Sequence, residues 1–306
     1  MPRKRVSNYR LLDNYAHYVP GPLQLLGLVG FFIVGVILAN GLMLLASRFD
    51  SELAMTYGTL VTYPLMFIPA MMYAGVRSRM GENFETGYSL DSGKFKPFGA
   101  VPCVILSLLS TFALAFLTDA LAELLPPMPQ ALKDALERLT EGSLVLNFIA
   151  VSVMAPFFEE WLCRGMVLRG LLNYKKEDGF RGLKPIWAVV ISAAFFALIH
   201  LNPWQALPAF ILGALFGYVY YKTGSLKLTM LMHCANNTLS LAMSRIPSLK
   251  DAENWREVLP SSIYWVVFGV SILLLILCIF QMKKISLTSP QGNCSEVKSL
   301  FDSRRD

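Results

Sequence analysis

The sequence predicts an all-α protein, a polytopic membrane helical bundle of about eight transmembrane helices, and three observations predict it. Of 306 residues, 55% are hydrophobic and only 16% charged, with a mean hydropathy of +0.49, whereas a soluble domain carries about 25% charged residues. The apolar residues fall in continuous runs near the length of about 20 that a helix needs to cross the hydrocarbon layer. Lys and Arg concentrate in alternate loops, the bias that orients multispan proteins with their basic loops in the cytoplasm. Only helices and closed barrels satisfy the backbone inside lipid, and continuous runs lack the alternation of barrel strands.

Each element follows in order. A tail over 1–21 carries Arg3, Lys4, Arg5 and Arg10 against Asp13, and is expected in the cytoplasm. Residues 22–118 hold three spans, near 22–47, 54–76 and 98–118. The first is too long for a signal-peptide core and is expected to stay in the mature chain. Arg77, Arg79, Lys94 and Lys96 follow the second span and mark an inner loop. The stretch 119–143 is an outer loop, where Asp119, Glu123, Asp134, Glu137 and Glu141 outnumber Lys133 and Arg138. Within it, 126–142 reads as an amphipathic helix beginning after the prolines, with Leu132, Ala135 and Leu139 on one face. That helix serves as a cover on lipid or bundle, with a substrate gate as the alternative.

Residues 144–244 form a core of four spans, near 144–166, 185–201, 205–221 and 227–244, the last three short and closely spaced. Arg169, Lys175, Lys176, Arg181 and Lys184, then Lys222 and Lys227, mark its inner turns. Gly213 and Gly217 make a GxxxG pair that permits close helix contact, within the chain or between two copies. Residues 245–281 comprise an outer loop and a last span near 260–281, and Lys283 and Lys284 open a second cytoplasmic tail over 282–306. Topology accounts for the +6 net charge, and no nucleic-acid partner is expected. Neither a P-loop nor a strand-associated GxGxxG is present. Cys103, Cys163, Cys234, Cys278 and Cys294 form no CxxC pair.

Charged residues inside an apolar bundle are expensive and face the interior, a wet cavity or one another. The stretch APFFEEWLCRG, 155–165, interrupts a span with two acids and a cation. Glu160 and Arg164 are one helical turn apart and can pair, while Glu159 points about 100° away. The alternative is that both acids anchor buried helices or an interfacial turn. His200 ends the fifth span next to Asn202 and Pro203, where a helix break is expected, and Trp204 reads as an interface aromatic. His233 and Asn237, four residues apart, share one helical face, which can hold a reaction centre or glue helices together. Of three histidines, His17 lies in the tail and the other two on membrane helices. A carboxylate, two imidazoles and an amide suffice to activate water for peptide hydrolysis, by general-base chemistry with an oxyanion site or around a metal. Cys163 and Cys234 flank these residues but point away from them, and apolar surroundings disfavour a thiolate.

At these residues the sequence resembles the CPBP family, the CAAX-protease and bacteriocin-processing group of intramembrane peptidases, also called Abi or Rce1-like. Its EExxxR motif stands as Glu159-Glu160-Trp161-Leu162-Cys163-Arg164, its FxxxH as Phe196 to His200, and its HxxxN as His233 to Asn237. The resemblance covers roughly 144–242. It implies Glu159 as the water-activating carboxylate, His200 and His233 as catalytic partners, Asn237 as the oxyanion-stabilising or orienting amide, and Glu160 and Arg164 as supports. Zinc use stays open: the family chemistry is described as zinc-dependent and as metal-free, and Glu159, His200 and His233 are the candidate ligands.

The resemblance implies an endopeptidase for hydrophobic or lipidated peptide substrates, in contact with membrane lipids and located in a prokaryotic plasma membrane. Bacteriocin processing or immunity is the implied setting. A non-catalytic immunity or scaffold protein and a membrane transporter are the competing functions, and the oligomeric state is left open. Straight helices would place His200 and His233 at different depths; a tilted, broken or re-entrant segment around 200–206 would reconcile them, as would a water-filled cavity that lets the inner turns dip into the membrane.

Overall fold

A computed structural model describes residues 15, 18–79, 90–91, 93, 95–122, 125–140, 142–174, 182–246 and 254–285. His17, the tail cations, residues 175–181 and Cys294 lie outside these residues. Among the described residues all regular structure is helical. The elements are α1 (Pro22–Phe49), α2 (Ser51–Arg79), α3 (Ala100–Ala122), α4 (Gln130–Thr140), α5 (Leu144–Asn173), α6 (Pro185–Leu198), α7 (Pro203–Thr223), α8 (Leu226–Met243), α9 (Trp255–Val258) and α10 (Ser261–Lys283).

A helix stands at each of the eight predicted span positions. Five of them (α1, α2, α3, α5 and α10) are long and apolar enough to cross a membrane. The fifth predicted segment, α6, is a helix of only 14 residues. Leu23, Leu26 and Phe49 of α1 and Val266, Leu273 and Phe280 of α10 face outward, an apolar exterior that suits lipid and not water. Leu132 of α4 is half-buried, whereas the side chains of Ala135 and Leu139 lie outside the description.

Two boundaries differ from expectation for physical reasons. The fourth span runs on to Asn173 instead of ending near 166, because Arg169 does not leave the protein: its guanidinium is buried and donates to the Tyr18 carbonyl at 2.9 Å. The fifth stops at Leu198, because Leu201 takes a left-handed backbone, φ 57°, which a branched residue adopts only in a forced turn. The Asn202 side chain then caps α7 by accepting from the Gln205 N–H at 2.8 Å. The expected break is therefore present, and it spans 199–202.

α5 is the central element, with Trp161, Leu162, Met166 and Leu168 fully buried. It is not a uniform α-helix: wider π-type turns over Phe148–Met154 and Trp161–Leu168 flank the regular stretch Ala155–Glu160. The wide turns ahead of Pro156 make room for a ring that clashes with a regular preceding turn. Gly35 of α1 lies against the Met66 backbone of α2, so these two helices cross closely. The GxxxG pair works within the chain: Gly213 faces Phe196 and Ala193 of α6, and Gly217 faces Val189 of the same helix.

Candidate active site

α5, α6 and α8 bring the predicted residues together in two layers. The inner layer is charged and closed. Glu160 and Arg164, both fully buried, pair at 2.9 Å along α5 as their spacing requires. Arg164 also donates to the Gly213 carbonyl at 2.9 Å, and its guanidinium sits 4.4 Å from the Phe196 ring centre and 5.5 Å from that of Phe216. Two aromatic faces and a carbonyl thus hold the cation where water cannot. The other bond to Glu160 Oε1 comes from His233, whose Nδ1 lies at 3.1 Å. A carboxylate only accepts, so Nδ1 carries a proton and donates, and the ring presents Nε2 on its far side.

The outer layer faces a cavity of about 710 Å³ lined by Tyr63, Glu159, Phe196, His200, His233 and Asn237 among others. Glu159 Oε2 lies 3.8 Å from His233 Nε2 and has no hydrogen-bond partner among the described residues. That separation is too long for a direct bond and short enough for one water to touch both atoms. His200 donates from Nδ1 to the Phe196 carbonyl at 2.8 Å, which leaves Nε2 unengaged. Asn202 Nδ2 donates to the His200 carbonyl at 3.1 Å and steadies the turn that presents the ring. Asn237 donates from Nδ2 to the Val151 carbonyl at 2.9 Å and accepts from Asn236 at 3.3 Å.

The motif phenylalanine has a visible task. Phe196 meets the His200 ring edge to face at 5.1 Å and the His233 ring at 5.4 Å, and Arg164 stacks over it. One side chain therefore fixes the relative positions of all three motifs, and the broken helix end lets both histidines reach one chamber.

Tyr63 is the residue the sequence did not single out. It comes from α2, and its hydroxyl donates to Glu159 Oε1. A tyrosine in an apolar span carries no signal of what it faces, and the motifs all lie beyond 144. Trp204, read as an interface aromatic, donates from its indole to the Pro126 carbonyl at 2.8 Å and ties α7 to the loop before α4.

A three-ligand zinc site is not assembled. Among the described residues no three His, Cys, Asp or Glu side chains group within reach of one ion. Glu159, His200 and His233 as placed do not fit that role. Neither cysteine joins the reacting layer: Cys163 is fully buried behind it, and Cys234 lies beside Thr238.

No curated protein and no solved structure matches the chain. A family model does, over residues 141–239, about a third of the length: type II CAAX prenyl endopeptidase Rce1-like. That stretch runs from the start of α5 to within α8 and carries every motif residue. In the helices that build this site, the chain resembles the Rce1-like intramembrane endopeptidases of the CAAX-protease group.

Proposed function

We propose that the protein is an intramembrane endopeptidase in which Glu159 activates a water held with His233, and Asn237 and His200 stabilise the charge that develops on the substrate carbonyl. The observation that carries this is the division of labour between adjacent acids. Arg164 and His233 both bond Glu160 Oε1, and Glu160 is not among the residues that line the cavity, whereas Glu159, held by Tyr63 through Oε1, lines it with Oε2 3.8 Å from His233 Nε2. Each acid keeps an Oε2 without a hydrogen-bond partner among the described residues, and Glu159 is the one on the cavity side, within one water's reach of the imidazole.

The steps follow from these positions. A water between Glu159 Oε2 and His233 Nε2 gives a proton to the carboxylate as its oxygen attacks the peptide carbon. The carbonyl oxygen becomes an oxyanion, which the second N–H of Asn237 receives, joined by His200 when its Nε2 also holds a proton. Glu159 then passes the proton to the leaving nitrogen, the C–N bond breaks, and the carboxylate is restored. Glu160 acts through His233: it fixes the tautomer and orientation of the ring, as a buried acid does for a catalytic histidine elsewhere. Tyr63 positions Glu159 from the other side. The apolar chamber suits a hydrophobic side chain or a lipid stem next to the scissile bond.

The test is cleavage of a hydrophobic and lipidated peptide library by protein purified in nanodiscs. Glu159→Gln preserves size and removes the base, and is expected to lower turnover by about 10²–10⁴-fold with an unchanged unfolding profile. Undiminished turnover in that folded variant would remove Glu159 from its role. Failure of the unaltered protein to cut any peptide would favour the scaffold or immunity alternative.

A further inference from the structure

Among the described residues, the chamber's lining reaches one end of the bundle. Its walls include Thr59 from the first half of α2, Asp119 from the last turn of α3, Asn147 from the start of α5, Gln205 from the start of α7, Met243 at the end of α8, and Trp255. Successive helices run in opposite directions, so these positions share one end. The opposite end is held by polar contacts among the described residues. Tyr220 donates to the Leu90 carbonyl at 2.9 Å, Asp91 pairs with Lys227 at 2.9 Å, and Lys222 donates to the Lys283 carbonyl at 3.1 Å.

Charge distinguishes the two ends. Arg77, Lys96, Lys184, Lys222, Lys227 and Lys284 flank helices at the other end, against Asp91 among the described acids. At the open end, among the residues whose side chains are described, Asp50, Glu52, Asp119, Asp134 and Glu257 outnumber Arg48, Lys133, Arg245 and Arg256. Basic residues beside short loops stay in the cytoplasm.

We infer that the chamber faces away from the cytoplasm, and that the substrate is an apolar peptide segment presented at the outer side of the membrane: part of a secreted or outward-facing membrane peptide, not the cytoplasmic end of a prenylated protein. The substrate half rests on the peptidase reading above; the orientation half stands on charge and cavity alone.

Single-cysteine labelling with a membrane-impermeant maleimide tests the orientation on the full chain in intact cells. Gln130 at the open end and Lys284 at the other end are both exposed, so Gln130→Cys and Lys284→Cys remove only local surface contacts, to Asp134 and to Gln281 and the Phe280 ring. Each is made in a Cys294→Ser background whose own labelling is subtracted. Gln130→Cys is expected to label in intact cells and Lys284→Cys only after lysis. The reverse pattern, or equal labelling of both, overturns the inference.

Peptide cleavage by sealed right-side-out and inside-out vesicles tests the substrate half. Turnover is expected in the right-side-out preparation, and turnover confined to inside-out vesicles overturns it. Should labelling be as expected while no cleavage occurs in vesicles or in detergent, the peptidase reading fails and the orientation stands.

Discussion

Glu159 and Glu160 are chemically identical neighbours whose environments assign them different work. One helical step rotates Glu159 away from the Arg164 partner that neutralises Glu160, and α2 meets it there with Tyr63. The phenol holds the carboxylate through Oε1, and Oε2 lies 3.8 Å from His233 Nε2. Tyr63→Phe removes only that bond and keeps the ring, which stacks with Phe67 at 5.7 Å. A hydrogen bond to a charged group is worth about 1.5–3 kcal/mol, so kcat is expected to fall by about 10–100-fold with KM little changed, the mark of an interaction that orients the reacting group. A rise in KM at constant kcat would instead assign Tyr63 to substrate binding. The sequence displays both acids openly, since charge in an apolar run stands out, but it is silent about Tyr63, whose significance arises only from which helix α2 packs beside.

At the scale of the element, α5 is legible as a span and illegible as an irregular one. The i,i+4 spacing of Glu160 and Arg164 survives although the wide turns begin at Trp161, and hydropathy cannot report a change of helical pitch. Nor can it report that Arg169 folds back onto the N-terminal segment, which is why the helix outlasts the predicted end. The buried pair gives the element its anchor on α7 and α8. Arg164→Met leaves Glu160 buried without its guanidinium, and removal of one member of such a pair destabilises by about 3–5 kcal/mol. A lower unfolding midpoint in detergent is expected, and the double variant Glu160→Gln with Arg164→Met should recover part of it, because an uncompensated charge costs more than no charge. An unchanged midpoint for Arg164→Met would show that the pair is a catalytic device without structural weight.

Across the whole molecule, the motifs and the chamber do not coincide. The stretch that resembles Rce1-like endopeptidases supplies the reacting layer, yet α2 and α3 lie outside it and provide much of the apolar wall, with Phe112 and Phe116 of α3 among the lining residues. Motif spacing therefore made the grouping of Glu159, His200, His233 and Asn237 readable, while the shape of the chamber depends on long-range helix packing that no spacing encodes. On the peptidase reading, the expected consequence is a separation of function, with α5, α6 and α8 setting the rate of the chemical step and α3 the side chain accepted. Phe112 is partly exposed and has no role in the charged layer, so Phe112→Ala enlarges the chamber without disturbing Glu159, His200 or His233. A fully used aromatic contact contributes on the order of 1.5–3 kcal/mol of apolar burial, hence KM for peptides with a small apolar residue beside the scissile bond is expected to rise by about 10-fold or more. Bulkier residues should regain affinity in the same variant, and kcat should hold across the series. A parallel fall in kcat for every peptide would mean that α3 supports the reacting geometry and that rate and selectivity are not divided between helices in this way.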